Sequence, residues 1–94
     1  MRIALDFDGT FTLDPVFWNS FIRTALLAAH DVIIVTMRHN GEEAVKPLAQ
    51  VQHLPASKFI FTGRQAKKPF VEACGVTIDI WIDDNPHFVM ENAS

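Results

Sequence analysis

The stretch that most constrains the fold is Ile3-Ala4-Leu5-Asp6-Phe7-Asp8-Gly9-Thr10, a short apolar run that ends in two acids separated by one residue. If the apolar run forms a buried strand, its acids must meet a cation or reach solvent, because an unpaired buried carboxylate is costly. Gly9 allows the backbone to turn sharply after the acids. The stretch therefore predicts a buried strand, from Arg2 to Phe7, whose carboxyl end opens on an acidic cleft.

Three later apolar runs repeat this pattern, since each ends in polar residues suited to phosphate chemistry. Short runs rich in β-branched or aromatic side chains are typical of strands that are covered on both faces. The runs, with the polar residues that follow them, are Val32–Val35 with Thr36, Phe59–Phe61 with Thr62, and Ile78–Ile82 with Asp83 and Asp84.

Helical patterns separate these strands. From Pro15 to Ala29 apolar side chains recur every three or four residues, after an Asp14-Pro15 pair typical of a helix start. A second helix is expected within residues 42–54, with Pro47 causing a late start or a kink. Short helices are expected over residues 69–74 and within 87–94. Alternating strands and helices favour a parallel sheet with right-handed crossovers, so all the polar strand ends lie at one edge.

Length and composition set further bounds. The 94 residues, about half of them hydrophobic, suffice for one small domain, and the net charge of −3 argues against broad binding to nucleic acid. A single cysteine, Cys74, excludes an intrachain disulfide and is expected to be a packed thiol. No signal peptide or membrane-spanning run is apparent, so we expect a cytoplasmic protein without membrane association.

The polar residues at the strand ends together suit a magnesium and phosphate site. Carboxylates are preferred ligands of Mg²⁺, while the Thr36 hydroxyl and an ammonium from Lys67 or Lys68 can hold phosphoryl oxygens. An aspartate in such a site can attack phosphorus, and a second one can protonate the leaving oxygen and then deprotonate water.

With these motifs, the chain resembles the Asp-nucleophile phosphatases of the haloacid dehalogenase superfamily. Asp6-Phe7-Asp8-Gly9-Thr10, Thr36 after an apolar strand, a lysine in the third segment and Asp83-Asp84 occur in the family's order. The resemblance spans residues 1 to about 86. The predicted fold is a single three-layer, Rossmann-like α/β domain over residues 1–94, with about four parallel strands in the order 3-2-1-4.

The resemblance implies a role for each motif residue. Asp6 would be the nucleophile and a Mg²⁺ ligand, and Asp8 the general acid/base that also offers its backbone carbonyl to the metal. Asp84 would ligate Mg²⁺ directly, and Asp83 would act as a more distant or water-mediated ligand. The predicted phosphate-binding residues are Gly9, Thr10, Thr36, Arg38, Lys67 and Lys68; the choice between the two lysines stays open.

The spacing of the motifs leaves no room for a cap domain. The resemblance then implies an open site and a large phosphorylated substrate, such as a phosphoprotein or a nucleic-acid end, or a cap lent by an oligomer. Monomer and homodimer both remain open. The alternative function is a non-catalytic module that binds Mg²⁺ or phosphate as a partner subunit. A phosphoacceptor receiver domain fits less well, because its adjacent acid pair comes early in the chain rather than last.

Overall fold

The computed structural model describes all residues from 1 to 94 and consists of four strands and four α-helices. The strands are β1 (Arg2–Leu5), β2 (Asp31–Thr36), β3 (Phe59–Phe61) and β4 (Ile80–Ile82). The helices are α1 (Pro15–Leu27), α2 (Val45–Gln50), α3 (Lys67–Ala73) and α4 (His87–Met90). Short 3₁₀ turns cover Phe11–Leu13, Glu42–Ala44 and Ala56–Lys58.

All four strands are parallel and lie in the order β3-β2-β1-β4, which confirms the predicted α/β fold and strand order. Residue Leu5 of β1 lies opposite Ile34 of β2 and Ile82 of β4, so β1 and β4 end at the same level and β2 continues two residues further, to Thr36. Their carboxyl ends therefore share one edge of the sheet, where the polar residues follow.

The two faces of the sheet bury separate apolar clusters. On one face, Leu5 and Ile34 pack with Ile22 and Ala25 of α1 and with Phe11. On the other face, Ala4, Ile33 and Val35 pack with Val71 of α3. Side chains alternate between the faces because successive residues of a strand point in opposite directions. The result is the three-layer arrangement, with α1 on one side of the sheet and α3 on the other.

The predicted start of α1 is confirmed, but its end is not. The Asp14 carboxylate accepts a hydrogen bond from the Phe17 amide, and Pro15 occupies the first turn. The helix ends at Leu27 because Ala29 adopts a left-handed conformation, with φ at 65°. The His30 amide then donates to the Ala25 carbonyl, which closes the helix as a glycine-type C-cap would.

Helix α2 is shorter than the predicted segment of residues 42–54. It begins at Val45, so that Pro47 lies in its first turn, where a missing amide proton costs little. It ends at Gln50 because the backbone of Val51 is extended and the Gln52 amide donates instead to the Asn19 side chain of α1.

Other boundaries also differ from the prediction, and β2 extends one residue beyond each end of the predicted Val32–Val35. Strand β1 ends at Leu5 rather than Phe7, since the Phe7 carbonyl already accepts the Thr10 amide of the following turn. Strand β4 begins at Ile80 rather than Ile78. Helix α3 begins two residues early, at Lys67, and Cys74 at its end is exposed, so the prediction of a packed thiol is wrong.

Candidate functional site

A cleft of about 270 Å³ lies at the carboxyl edge of the sheet. Asp6 follows β1, Thr36 ends β2, and Asp83 and Asp84 follow β4, while Lys67 is the first residue of α3. All five of these residues line the cleft, together with Asp8. The parallel topology thus brings residues from across the chain into one place.

Asp6, Asp83 and Asp84 form an acidic cluster that can hold a metal ion. One carboxylate oxygen from each residue lies within 4.8 Å of the others. The Asp6 and Asp83 side chains are buried, whereas Asp84 is exposed at the mouth of the cleft. Three oxygen donors, two of them shielded from water, are a ligand set suited to a hard divalent cation.

Lys67 is the cation buried with these acids. Its Nζ donates to Asp6 Oδ1 at 2.7 Å and also to Asp83 Oδ2, and only 3% of the residue is exposed. Lys68, the other lysine of the motif, is exposed and has no ion pair. The structure therefore brings Lys67, and not Lys68, to the acidic cluster.

The charge balance of this cluster alters the protonation of Asp6. Burial raises the pKa of Asp6 from 3.8 to about 7, and the opposing charge and hydrogen bond of Lys67 reduce this effect without reversing it. One ammonium faces three carboxylates, so the cluster keeps an excess of negative charge. A bound divalent cation would offset that excess.

Asp8 is engaged by a different cation. Arg38 donates from Nε and Nη2 to the two oxygens of Asp8, each at 2.8 Å, which is a bidentate ion pair. Arg38 is held in turn by the Glu43 carbonyl at 3.0 Å and lies over the Phe7 ring. The hydrogen bonds from Arg38 hold the pKa of Asp8 below its ordinary value. Arg38 was predicted to bind phosphate, but in this structure its guanidinium is paired with the Asp8 carboxylate.

The turn after β1 orients the acids. Thr10 Oγ1 donates to Asp6 Oδ2 at 3.1 Å and accepts from the Asp84 amide at 3.2 Å, which joins the ends of β1 and β4. Gly9 has φ at +80°, and a Cβ placed on it would overlap the Asp84 carboxylate. Glycine suits this position because the backbone conformation is left-handed and because a side chain here would displace the Asp84 carboxylate from the cluster.

Thr36 is almost fully buried at the base of the cleft, and its Oγ1 accepts the Arg38 amide at 3.3 Å. Its hydroxyl proton has no protein acceptor, so it is available to a ligand oxygen.

Several residues of the cleft were not predicted from the sequence, namely Met37, Arg64, Asn85, Phe88 and Ala93. Arg64 spans the cleft wall, donating to the Met37 carbonyl at 2.6 Å and to Glu43 Oε2 at 3.0 Å. A basic residue between β3 and α3 is a sequence signal that could have pointed to Arg64. Phe88 and Ala93 carry no such signal, because their place depends on how the last segment folds back.

Comparisons with protein-family models, with curated proteins and with solved structures give no match to this chain. Among the helices of the fold, none is long and apolar enough to cross a membrane.

Proposed function

We propose that the protein is a Mg²⁺-dependent phosphomonoester hydrolase of the haloacid dehalogenase type, acting through a phospho-aspartate on Asp6. The observation that supports this proposal best is the acidic cluster, in which buried Asp6 lies close enough to Asp83 and Asp84 to share a metal ion and 2.7 Å from Lys67 Nζ. A nucleophile, a cation site and a phosphate-binding ammonium would thereby lie together at the carboxyl edge of the sheet.

The residues that would hold Mg²⁺ are Asp6, Asp84 and the backbone carbonyl of Asp8. Asp83 would be a more distant or water-mediated ligand, as the resemblance implies, with its oxygens accepting from Lys67 and from the Asn85 amide. The donor set fits the metal, since it consists of oxygens alone and carries more negative charge than Lys67 balances. When bound, Mg²⁺ would neutralise charge on Asp6 and on the phosphoryl oxygens, so that the two anions can approach.

In the first step of the proposed reaction, a carboxylate oxygen of Asp6 attacks phosphorus, and the bond to the leaving oxygen breaks. Asp8 donates a proton to that oxygen, while Lys67 and Thr36 bind the phosphoryl oxygens. In the second step, water attacks the phosphorus of phospho-Asp6, and Asp8 takes its proton, which releases inorganic phosphate and regenerates Asp6. Because its pair with Arg38 favours the ionised form of Asp8, substrate binding has to release Asp8 from Arg38.

Hydrolysis of an aryl phosphate tests the proposal. Wild-type protein should release phosphate in the presence of Mg²⁺, and EDTA should abolish this activity. Asp6→Asn should reduce kcat at least about 10³-fold, as loss of a catalytic nucleophile does. The matched control is Asp31→Asn, a carboxylate at the opposite edge of the sheet, which should retain activity. Turnover by folded Asp6→Asn protein would exclude phospho-Asp6 catalysis.

The second candidate function is a non-catalytic module that binds Mg²⁺ or phosphate as a partner subunit. It is favoured by the ion pairs of both proposed catalytic acids, Asp6 with Lys67 and Asp8 with Arg38. Mg²⁺ binding measured by calorimetry, without hydrolysis of any phosphomonoester tested, would support this candidate over the hydrolase.

A further inference from the structure

The helix that carries Lys67 is capped from a distant part of the chain. At its N-cap position, Ala66 has no side chain able to accept a hydrogen bond from the first turn. The amide of this buried residue donates instead to Asn92 Oδ1 at 2.7 Å. Asn92 is thus the side chain that satisfies the backbone directly before Lys67.

A second contact holds the same segment in place. The Ala93 amide donates to the Arg64 carbonyl at 2.7 Å, two residues before Ala66. Helix α4, which precedes this segment, packs against α3. Residues 91–93, which we name the C-terminal strap, are therefore bonded on two sides to the loop that leads into Lys67, and Ala93 also lines the cleft.

The position of Lys67 depends on this loop. Lys67 is the first residue of α3, so the backbone that leads into the helix sets the orientation of its side chain. From this position the ammonium reaches both Asp6 and Asp83. On the entry side, the loop is braced by Thr62, whose Oγ1 donates to the Gln65 carbonyl at 2.8 Å. At Ala66, the amide donates to Asn92, and the carbonyl accepts the Phe70 amide of the helix at 3.3 Å. The bond to Asn92 is thus the one that joins Ala66 to another part of the chain.

We propose that Asn92 is a positioning residue for Lys67, fixing the start of α3 so that the ammonium meets Asp6 and the transferring phosphoryl group. The catalytic part of this inference rests on the proposed hydrolase function; the structural part does not. Small displacements of a group that binds the reacting centre cost rate more than they cost substrate affinity.

Three variants test this role. Asn92→Ala removes the acceptor, and Asn92→Asp keeps an oxygen at the same distance from the backbone. Glu91→Ala alters an exposed neighbour in the strap that makes no hydrogen bond to Ala66. The first readout is the rate of acetylation of Lys67 by acetic anhydride, measured by mass spectrometry relative to exposed Lys68 in the same molecule. The second is kcat and KM for an aryl phosphate.

We expect Asn92→Ala to raise the relative acetylation of Lys67 about fivefold and to lower kcat by a similar factor with little change in KM, since one hydrogen bond to the backbone is lost. Asn92→Asp should restore both values, and Glu91→Ala should match wild type. If Asn92→Ala unfolds, Asn92→Gln, which displaces the acceptor by one methylene, provides the same comparison.

Failure of the two proposals can be told apart. Unchanged Lys67 acetylation in folded Asn92→Ala overturns the positioning role, whatever the activity of the wild type. Altered acetylation that Asn92→Asp restores supports the positioning of Lys67, even if wild-type protein hydrolyses nothing and the hydrolase proposal falls. Equal losses in Asn92→Ala and Asn92→Asp would also overturn the role, because the retained oxygen would then not matter.

Discussion

Charged clusters lie at both ends of the parallel strands, which we call the amino edge and the carboxyl edge of the sheet, but their ratios of cations to carboxylates are opposite. At the amino edge, Asp31 accepts from Arg2 Nε and from Lys58 Nζ, each at 2.9 Å, so two cations serve one carboxylate. All three side chains are partly exposed to solvent. At the carboxyl edge, the one buried ammonium is that of Lys67. It pairs with Asp6 and Asp83, and Asp84 is the third carboxylate of the cluster.

The pKa values of the central acids show what this difference means. Burial raises the pKa of Asp31, but the hydrogen bonds from Lys58 and Arg2 outweigh burial and leave the pKa below its ordinary value. Burial of Asp6 prevails over Lys67 and raises the pKa to about 7. At the amino edge, the protein's own cations thus balance the charge of Asp31. The carboxyl edge is not balanced in this way, because its carboxylates outnumber its buried ammonium, and such a cluster can hold a cation.

The largest effect on stability is expected from Lys67→Met. Removing the only cation from two buried carboxylates should lower the free energy of unfolding by about 3 kcal/mol, as breaking a buried ion pair does. The loss should be greater at about pH 8 than at about pH 6, where protonation of Asp6 relieves it. Urea denaturation measures both values.

The matched control is Lys68→Met, an exposed lysine one residue away, whose effect should stay within about 0.5 kcal/mol. Equal effects of the two substitutions would show that the carboxyl edge does not depend on its buried cation.

A smaller effect is expected from Mg²⁺, and it should depend on pH. Between pH values near 3.8 and about 7, native Asp6 holds a proton that the unfolded chain has released, so the contribution of Asp6 to the free energy of unfolding falls as pH rises. Mg²⁺ competes with this proton. Its stabilisation should therefore be larger at about pH 8 than at about pH 6, reaching about 2.7 kcal/mol at a hundredfold excess over Kd.

Thermal unfolding with and without Mg²⁺ at the two pH values measures this difference. Asp84→Asn should weaken the stabilisation, whereas Asp79→Asn, at the amino edge beside the Arg2 amide, should not. The same increase in Tm at both pH values would argue against a cation site that includes Asp6.

The smallest effect is expected at the amino edge. Lys58→Met should lower the free energy of unfolding by less than about 1 kcal/mol, because its ion pair with Asp31 is partly exposed. Added salt should reduce even this difference. Urea denaturation at low and high ionic strength measures it, and a loss as large as that of Lys67→Met would remove the contrast between the two edges.

The sequence was sufficient for the fold because its strands and helices differ clearly in pattern. Short apolar runs marked the cores of all four strands, and the Asp14-Pro15 pair marked the start of α1. Helix ends were harder to predict, since the left-handed turn at Ala29 and the extended backbone at Val51 involve residues without a strong turn preference.

The acids of the candidate site could be predicted because they directly follow strands, and the sheet determines where strand ends lie. The choice between Lys67 and Lys68 could not, because adjacent helical residues point about 100° apart and the choice depends on where α3 begins. The pair between Asp8 and Arg38 and the cap provided by Asn92 join distant parts of the chain through loops. The periodicity of apolar residues in the sequence does not predict hydrogen bonds between loops.

The pairing of β1 with β4 has a consequence for local motion. Strand β4 is a three-residue strand at the side of the sheet and is followed directly by Asp83 and Asp84, while Asp6 follows the inner strand β1. If β4 detaches locally from β1, Asp83 and Asp84 move away from Asp6, and the inner strands stay paired. A cation shared by Asp6 and Asp84 would link the end of β4 to the inner strand β1. Metal affinity and the protection of β4 amides against hydrogen exchange should therefore rise and fall together.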